Sequence, residues 1–184
     1  MRIGLALGSG GARGLAHVGV LDVLEAEGLR PVCVSGTSMG SIVGALYAKH
    51  LDADEVAHRL EVYSENPDFK ECWAPFIEDE EFRDDKRFFS EFRRSIERKM
   101  LTFKTFTSPA QRGADKLMRP LQALLGESRI EDLPLPFASV AVDLVTGEPE
   151  VFTRGPLVEA VYASSAIPAV FPPLPLGDRL LIDG

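Results

Sequence analysis

Apolar residues along this chain alternate between two spacings, and the changes mark out its elements. Ile3 to Leu7 is a short apolar run that meets a glycine cluster at residues 8–14. Leu15, Val18, Leu21, Val23 and Leu24 then recur at helical spacing before Gly28. The order is strand, glycine loop, helix. Pro31 opens a second run, Val32-Cys33-Val34, which ends in the turn of residues 35–40 and leads into a helix of small residues, Ser41 to Lys49. Two such units in succession predict a largely parallel sheet covered by helices, so the expected fold class is α/β.

A helix capped by acidic residues is predicted near Asp54 to Ser64. Residues 65–106 then change character, holding eight of the eleven phenylalanines among dense charges, and are expected to form a helical insertion or cap. A helix over residues 108–125 has Ser108-Pro109 as its start signal and Gly126 as its stop. Phe137 to Val142 and Glu150 to Thr153 read as paired strands joined by a turn containing Gly147. A helix from Pro156 to Ser164 and a proline-rich stretch from Ile167 to Pro175 follow. The last strand is Arg179 to Ile182, ending in Asp183-Gly184. At 184 residues the chain is expected to be one domain.

Charge narrows the partners. The net charge of −8 removes the attraction to phosphate that nucleic-acid binding needs. The exception is local: residues 83–104 carry eight basic and four acidic side chains, with Phe89, Phe92, Ile96 and Met100 at helical spacing. A basic amphipathic helix of this kind packs its apolar stripe on the core, makes peripheral contact with an anionic lipid surface, or lines an acyl-chain entrance. No apolar stretch reaches 18 residues and the first strand is too short for a secretory core, so membrane contact is expected to be peripheral. Cys33 and Cys72 have no metal-ligand spacing, which suits a reducing, cytoplasmic setting with no metal. The sequence defines no oligomeric interface.

The chemistry concentrates in Gly36-Thr37-Ser38-Met39-Gly40, a G-x-S-x-G element between a strand and a helix, the context of a nucleophile elbow. Gly36 and Gly40 let neighbouring backbones approach while Ser38 projects its hydroxyl. An ordinary glycine-serine turn has the same composition. A serine hydroxyl needs a base, most often histidine. His17, His50 and His58 are all the chain has, and none follows residue 58, where the hydrolase order of serine, acid, histidine would require one. Asp183, at the end of an apolar strand, can take the proton directly. An Asp-Gly pair is also an everyday turn, and Asp143 is the nearest rival. The glycine cluster offers backbone amides at a helix start. It fails the dinucleotide pattern because Arg13 stands at the third glycine, and it lacks the ending of a phosphate loop, so an oxyanion hole is the reading that survives.

In this order, the glycine loop, the elbow and the terminal Asp183-Gly184 resemble the patatin-like phospholipases. Ala163 to Pro173 is similar to the segment that precedes the aspartate in bacterial members, and Val142 to Gly147 is similar to another block. The resemblance implies a three-layer α/β/α sandwich with a central, mostly parallel sheet. It implies a lipid ester or phospholipid substrate, Ser38 as nucleophile and Asp183 as base, with no cofactor. It also implies an oxyanion element at Gly10, Gly11, Arg13 and Gly14, where Ser9 stands in place of the family's usual first glycine. Relatives continue past Asp-Gly with Gly or Ala and further elements, so 184 residues are expected to lack the domain's C-terminal part. A soluble esterase or thioesterase and a non-catalytic lipid-binding module are the alternatives.

Overall fold

The computed structural model describes residues 2–67, 109–168 and 170–184. Beyond residue 67, the expected insertion at 65–106, including the basic segment 83–104, lies outside the described residues.

Strand β1 (Ile3–Leu7) leads through a 3-10 turn (Gly11–Leu15) into α1 (Ala16–Ala26), and β2 (Pro31–Gly36) leads into α2 (Met39–His50) and α3 (Ala53–Glu65). Helix α3 starts where the Asp52 carboxylate accepts the Glu55 amide at 2.9 Å. After α4 (Pro109–Leu125) come β3 (Phe137–Asp143), β4 (Pro149–Phe152), α5 (Leu157–Ser165), β5 (Leu174–Leu176) and β6 (Arg179–Asp183). The strand β5 was hidden in the sequence by its proline, Pro175, and those just before it. It is an edge strand, where a missing N–H costs no ladder bond, and Gly177 (φ 59) turns it into β6.

The fold is α/β as expected, but the sheet is mixed rather than mostly parallel. β1, β2 and β3 pair in parallel, whereas β4 and β6 both run antiparallel to β3, and β5 antiparallel to β6. The reason is connection length: the links from β3 to β4 and from β5 to β6 are too short for a parallel crossover.

Strand β3 is the hub, and its register decides where the chain ends meet. Ser139 pairs with Gly36 of β2 and Phe152 of β4, while Ala141 pairs with Asp183 of β6 and Glu150 of β4. A strand residue has one partner on each edge, so β2 and β6 share the edge opposite β4. They approach head to head, and their tips lie against β3 residues two positions apart.

Helices α2 and α5 pack on the face carrying Val34, Phe137 and Ser139. From Met39 to Ala48 every residue of α2 is buried, as expected of a helix rich in small residues and apolar all round. Gly44 allows the close approach: a methyl there would lie 3.0 Å from Val34 Cγ1 and 3.1 Å from Phe137 Cε2. On the opposite face Gly4, Ala6 and Cys33 are exposed.

Candidate active site

Ser38 ends the turn from β2 into α2 with φ 56 and ψ −125, a backbone state that side-chain-bearing residues rarely adopt and that costs about 1–3 kcal/mol. The surroundings hold it there. Thr37 donates its amide to Leu7 O at 3.1 Å. The Ser38 amide donates to both Ser164 O at 3.1 Å and Ser164 Oγ at 3.0 Å. The flanking glycines are required sterically, since a Cβ on Gly36 would run into the Gly40 carbonyl and one on Gly40 into the Leu7 carbonyl.

Asp183 reaches the same place from the tip of β6, its amide donating to Ala166 O at 3.0 Å. Ser38 Oγ donates to Asp183 Oδ2 at 2.7 Å across 145 residues of sequence. The Ser38 side chain is buried, and Asp183 Oδ1 is sealed from solvent with no hydrogen-bond partner among the described residues. Burial pushes the Asp183 carboxyl up to about 7. The bonds from Ser38 and the Gly184 amide offset part of that rise.

The glycine loop lies beside this pair. Gly10 (φ 148) and Gly11 (φ 51) take backbone states suited to glycine, and Arg13 donates its amide to Gly10 O at 3.0 Å. Gly14 is buried against Met39, whose Cβ and Cγ would lie 2.7 Å from a methyl at position 14. Thr37 is half-buried beside Gly184, and Arg13 is exposed. The structure therefore gathers Ser38, Asp183, both elbow glycines, Thr37 and Met39 at one point, with Gly14 packed on Met39 and the Gly8 carbonyl against Gly40.

The other sequence candidates go elsewhere. Asp143 is buried in the β3–β4 turn, where its carboxylate accepts the Val145 and Leu180 amides at 3.2 Å and the Thr146 hydroxyl at 2.9 Å. Burial acts to raise its pKa, but these bonds outweigh it and hold the carboxyl below the usual range. His17 bonds Gly8 O, the buried His50 Nε2 has no partner among the described residues, and His58 lines a surface cavity with Arg59 and Asn66. None of the three is bonded to Ser38 or Asp183. Among the described residues no cluster of His, Cys, Asp or Glu is arranged to hold a metal.

The sequence pattern of the patatin-like phospholipases matches residues 5–184. The chain belongs to that family. An NTE family protein of Mycobacterium tuberculosis is 36% identical over 183 residues, covering 100% of this chain and 42% of its own length. A lysophospholipase of Yarrowia lipolytica is 29% identical over 182 residues, covering 99% of this chain and 11% of its own. The chain thus spans less than half the length of these relatives. VipD from Legionella pneumophila shares the fold, with a TM-score of 0.57 at 14% identity, over 100% of this chain and 46% of VipD.

Within this patatin-like chain, three buried serines beneath the elbow escaped the sequence reading. Ser164 Oγ donates to Val140 O at 2.6 Å, Ser139 Oγ donates to Ala160 O at 2.9 Å, and Ser41 Oγ pairs with Ser139 Oγ at 2.8 Å. All three are 0% exposed. The available signal was polar residues inside otherwise apolar elements, because a buried hydroxyl must find a partner.

Proposed function

We propose that this chain hydrolyses carboxylic ester bonds of lipids, in the manner of a phospholipase A or lysophospholipase, through a Ser38–Asp183 pair and an acyl-enzyme. The observation that carries the reading is the 2.7 Å bond from Ser38 Oγ to Asp183 Oδ2. A short O–H···O contact to a carboxylate is the geometry a general base needs in order to take the nucleophile's proton.

In the first half-reaction Ser38 Oγ attacks the ester carbonyl carbon as its proton passes to Asp183 Oδ2. The tetrahedral oxyanion collapses, and the leaving alcohol departs with that proton. A water then attacks the acyl-enzyme, Asp183 again accepting and returning the proton, which releases the fatty acid and restores Ser38. The Ser38 amide is engaged by Ser164, so the oxyanion donors in this scheme come from the Gly10 and Gly11 amides of the loop that also carries Arg13 and Gly14. A base near neutrality accepts a proton more readily than an ordinary carboxylate, which is the use of burying Asp183.

The lipid substrate class rests on the family and on the relative named as a lysophospholipase. No described helix is long and apolar enough to cross a membrane, and we assign lipid contact to residues 83–104, acting from the cytoplasm at the inner membrane surface. Residues 1–184 belong to one catalytic domain in this scheme, with 65–106 as an insertion or cap within it.

Ser38→Ala and Asp183→Ala are expected to lower ester turnover by about 10³-fold or more with the fold retained, and a fluorophosphonate should label the wild type on Ser38. Turnover near wild type in either variant removes that residue from the mechanism. A panel running from short p-nitrophenyl esters to lysophospholipids tests the substrate class, and a preference for the short esters would overturn the lipid assignment.

A further inference from the structure

We propose that His17 is a positioning residue for this reaction: it fixes the glycine loop against the elbow through a hydrogen bond to the Gly8 carbonyl, and so sets where the loop amides meet the oxyanion. The inference deepens the hydrolase reading and rests on it.

One hydrogen bond of His17 and two features of its surroundings carry the inference. Its Nε2 lies 2.9 Å from Gly8 O. The same Gly8 carbonyl is pressed against the elbow, being among the atoms that a Cβ on Gly40 would strike. The His17 Cδ2 lies 3.8 Å from the position a methyl would take on Gly14, in the space where Gly14 also meets Met39. The imidazole therefore stands where the loop touches Met39 and Gly40, the first two residues of α2.

The chemistry of the contact fixes its polarity. A carbonyl oxygen only accepts, so the proton is on Nε2 and His17 is the donor. Gly10 and Gly11 have positive φ and no side chains, which leaves the loop backbone free to rotate unless something outside it holds a peptide plane. With the Gly8 carbonyl tied to α1 through His17, the loop is held where it begins, while the Arg13 amide holds the Gly10 carbonyl further along, so the amides of residues 10 and 11 lie between two fixed points. An oxyanion hole needs its donors aimed before reaction, and a displacement of about 1 Å can cost about a hundredfold in rate.

The bond is specific to one ring nitrogen, which makes it testable without breaking the fold. The Gln amide nitrogen reaches the position of Nε2, whereas the Asn amide nitrogen reaches that of Nδ1. With a lysophospholipid substrate, His17→Ala and His17→Asn are expected to lower kcat about ten- to a hundredfold with KM changed by less than about threefold, and His17→Gln to recover most of the loss. The affinity of a trifluoromethyl ketone, which presents an oxyanion mimic to Ser38, should fall and recover in step with kcat. The melting temperature of the Gln and Asn variants should agree, since a role in folding alone would not separate them. Equal rates for Gln and Asn, or a wild-type rate in His17→Ala, would overturn the positioning role while leaving the hydrolase reading intact. A wild-type chain that neither labels on Ser38 nor turns over ester would remove the hydrolase reading and this inference with it.

Discussion

At the scale of single residues, the site is a strained serine facing a buried carboxylate. The strain at Ser38 is legible in sequence only through its neighbours, since Gly36 and Gly40 are what such a turn demands. The state of Asp183 is not legible at all, because burial of a strand tip depends on what packs over it. With its carboxyl raised from 3.8 to about 7, Asp183 is protonated in the folded protein over a range where the unfolded chain is ionised. Two consequences follow with definite sign. Only the carboxylate can take the Ser38 proton, so the rate of fluorophosphonate labelling should rise with pH up to about 7 and level off above it. The stability contributed by holding that proton is complete below pH 3.8 and is lost as pH rises through about 7. Asp183→Asn should therefore stabilise the protein by about 1–3 kcal/mol at pH 8 and have little such effect at pH 3, as measured by thermal melts at the two values.

At the scale of elements, the end of α5 holds both partners. Ser164 receives the amide of the nucleophile and Ala166 receives the amide of the base, two positions apart on one short segment. The sequence flagged residues 163–173 by resemblance but gave them no task. Ser164→Ala removes one of the two acceptors of the Ser38 amide and the bond to Val140 O. A cost of about 1–2 kcal/mol in stability is expected by urea unfolding, with a drop in kcat of about tenfold. Helices α1, α2 and α3 are joined in a comparable way at Glu25, which accepts from the buried Tyr47 hydroxyl at 2.9 Å and from the Ala53 amide at 3.1 Å. Burial, with this bond to Glu25, pushes Tyr47 up to about 12, so it is a neutral donor at any working pH. Nothing in helical spacing pointed to that link, because Glu25 reads as a solvated charge until α2 and α3 are laid beside it.

At the scale of the whole molecule, charge is unevenly spread. The chain carries −8 overall, yet residues 83–104 hold a net excess of four basic side chains together with Phe89 and Phe92. If this segment meets anionic lipid as proposed, the attraction is electrostatic and weakens as salt shortens the Debye length. Flotation with phosphatidylserine vesicles should show binding that declines between low and high salt. Phe89→Ser with Phe92→Ser should lower the bound fraction. An unchanged fraction would assign the segment's apolar stripe to packing instead.

Local order in this protein was written in local pattern. Apolar spacing predicted β1, β2, the helices and the β3–β4 hairpin, and the steric need for glycine on both sides of Ser38 marked the elbow, because each depends on residues a few positions apart. Strand β5 was missed because proline is read as a breaker until an edge is known. Pairing on β3 could not be read from the chain, since it depends on which edges are free after every other element is placed. That register set β2 and β6 tip to tip on one edge and brought Ser38 within 2.7 Å of Asp183, and the packing around it sealed the carboxylate from water. Contact between positions so distant in sequence is decided by how strands share edges and how helices exclude solvent, and both are properties of the assembled fold.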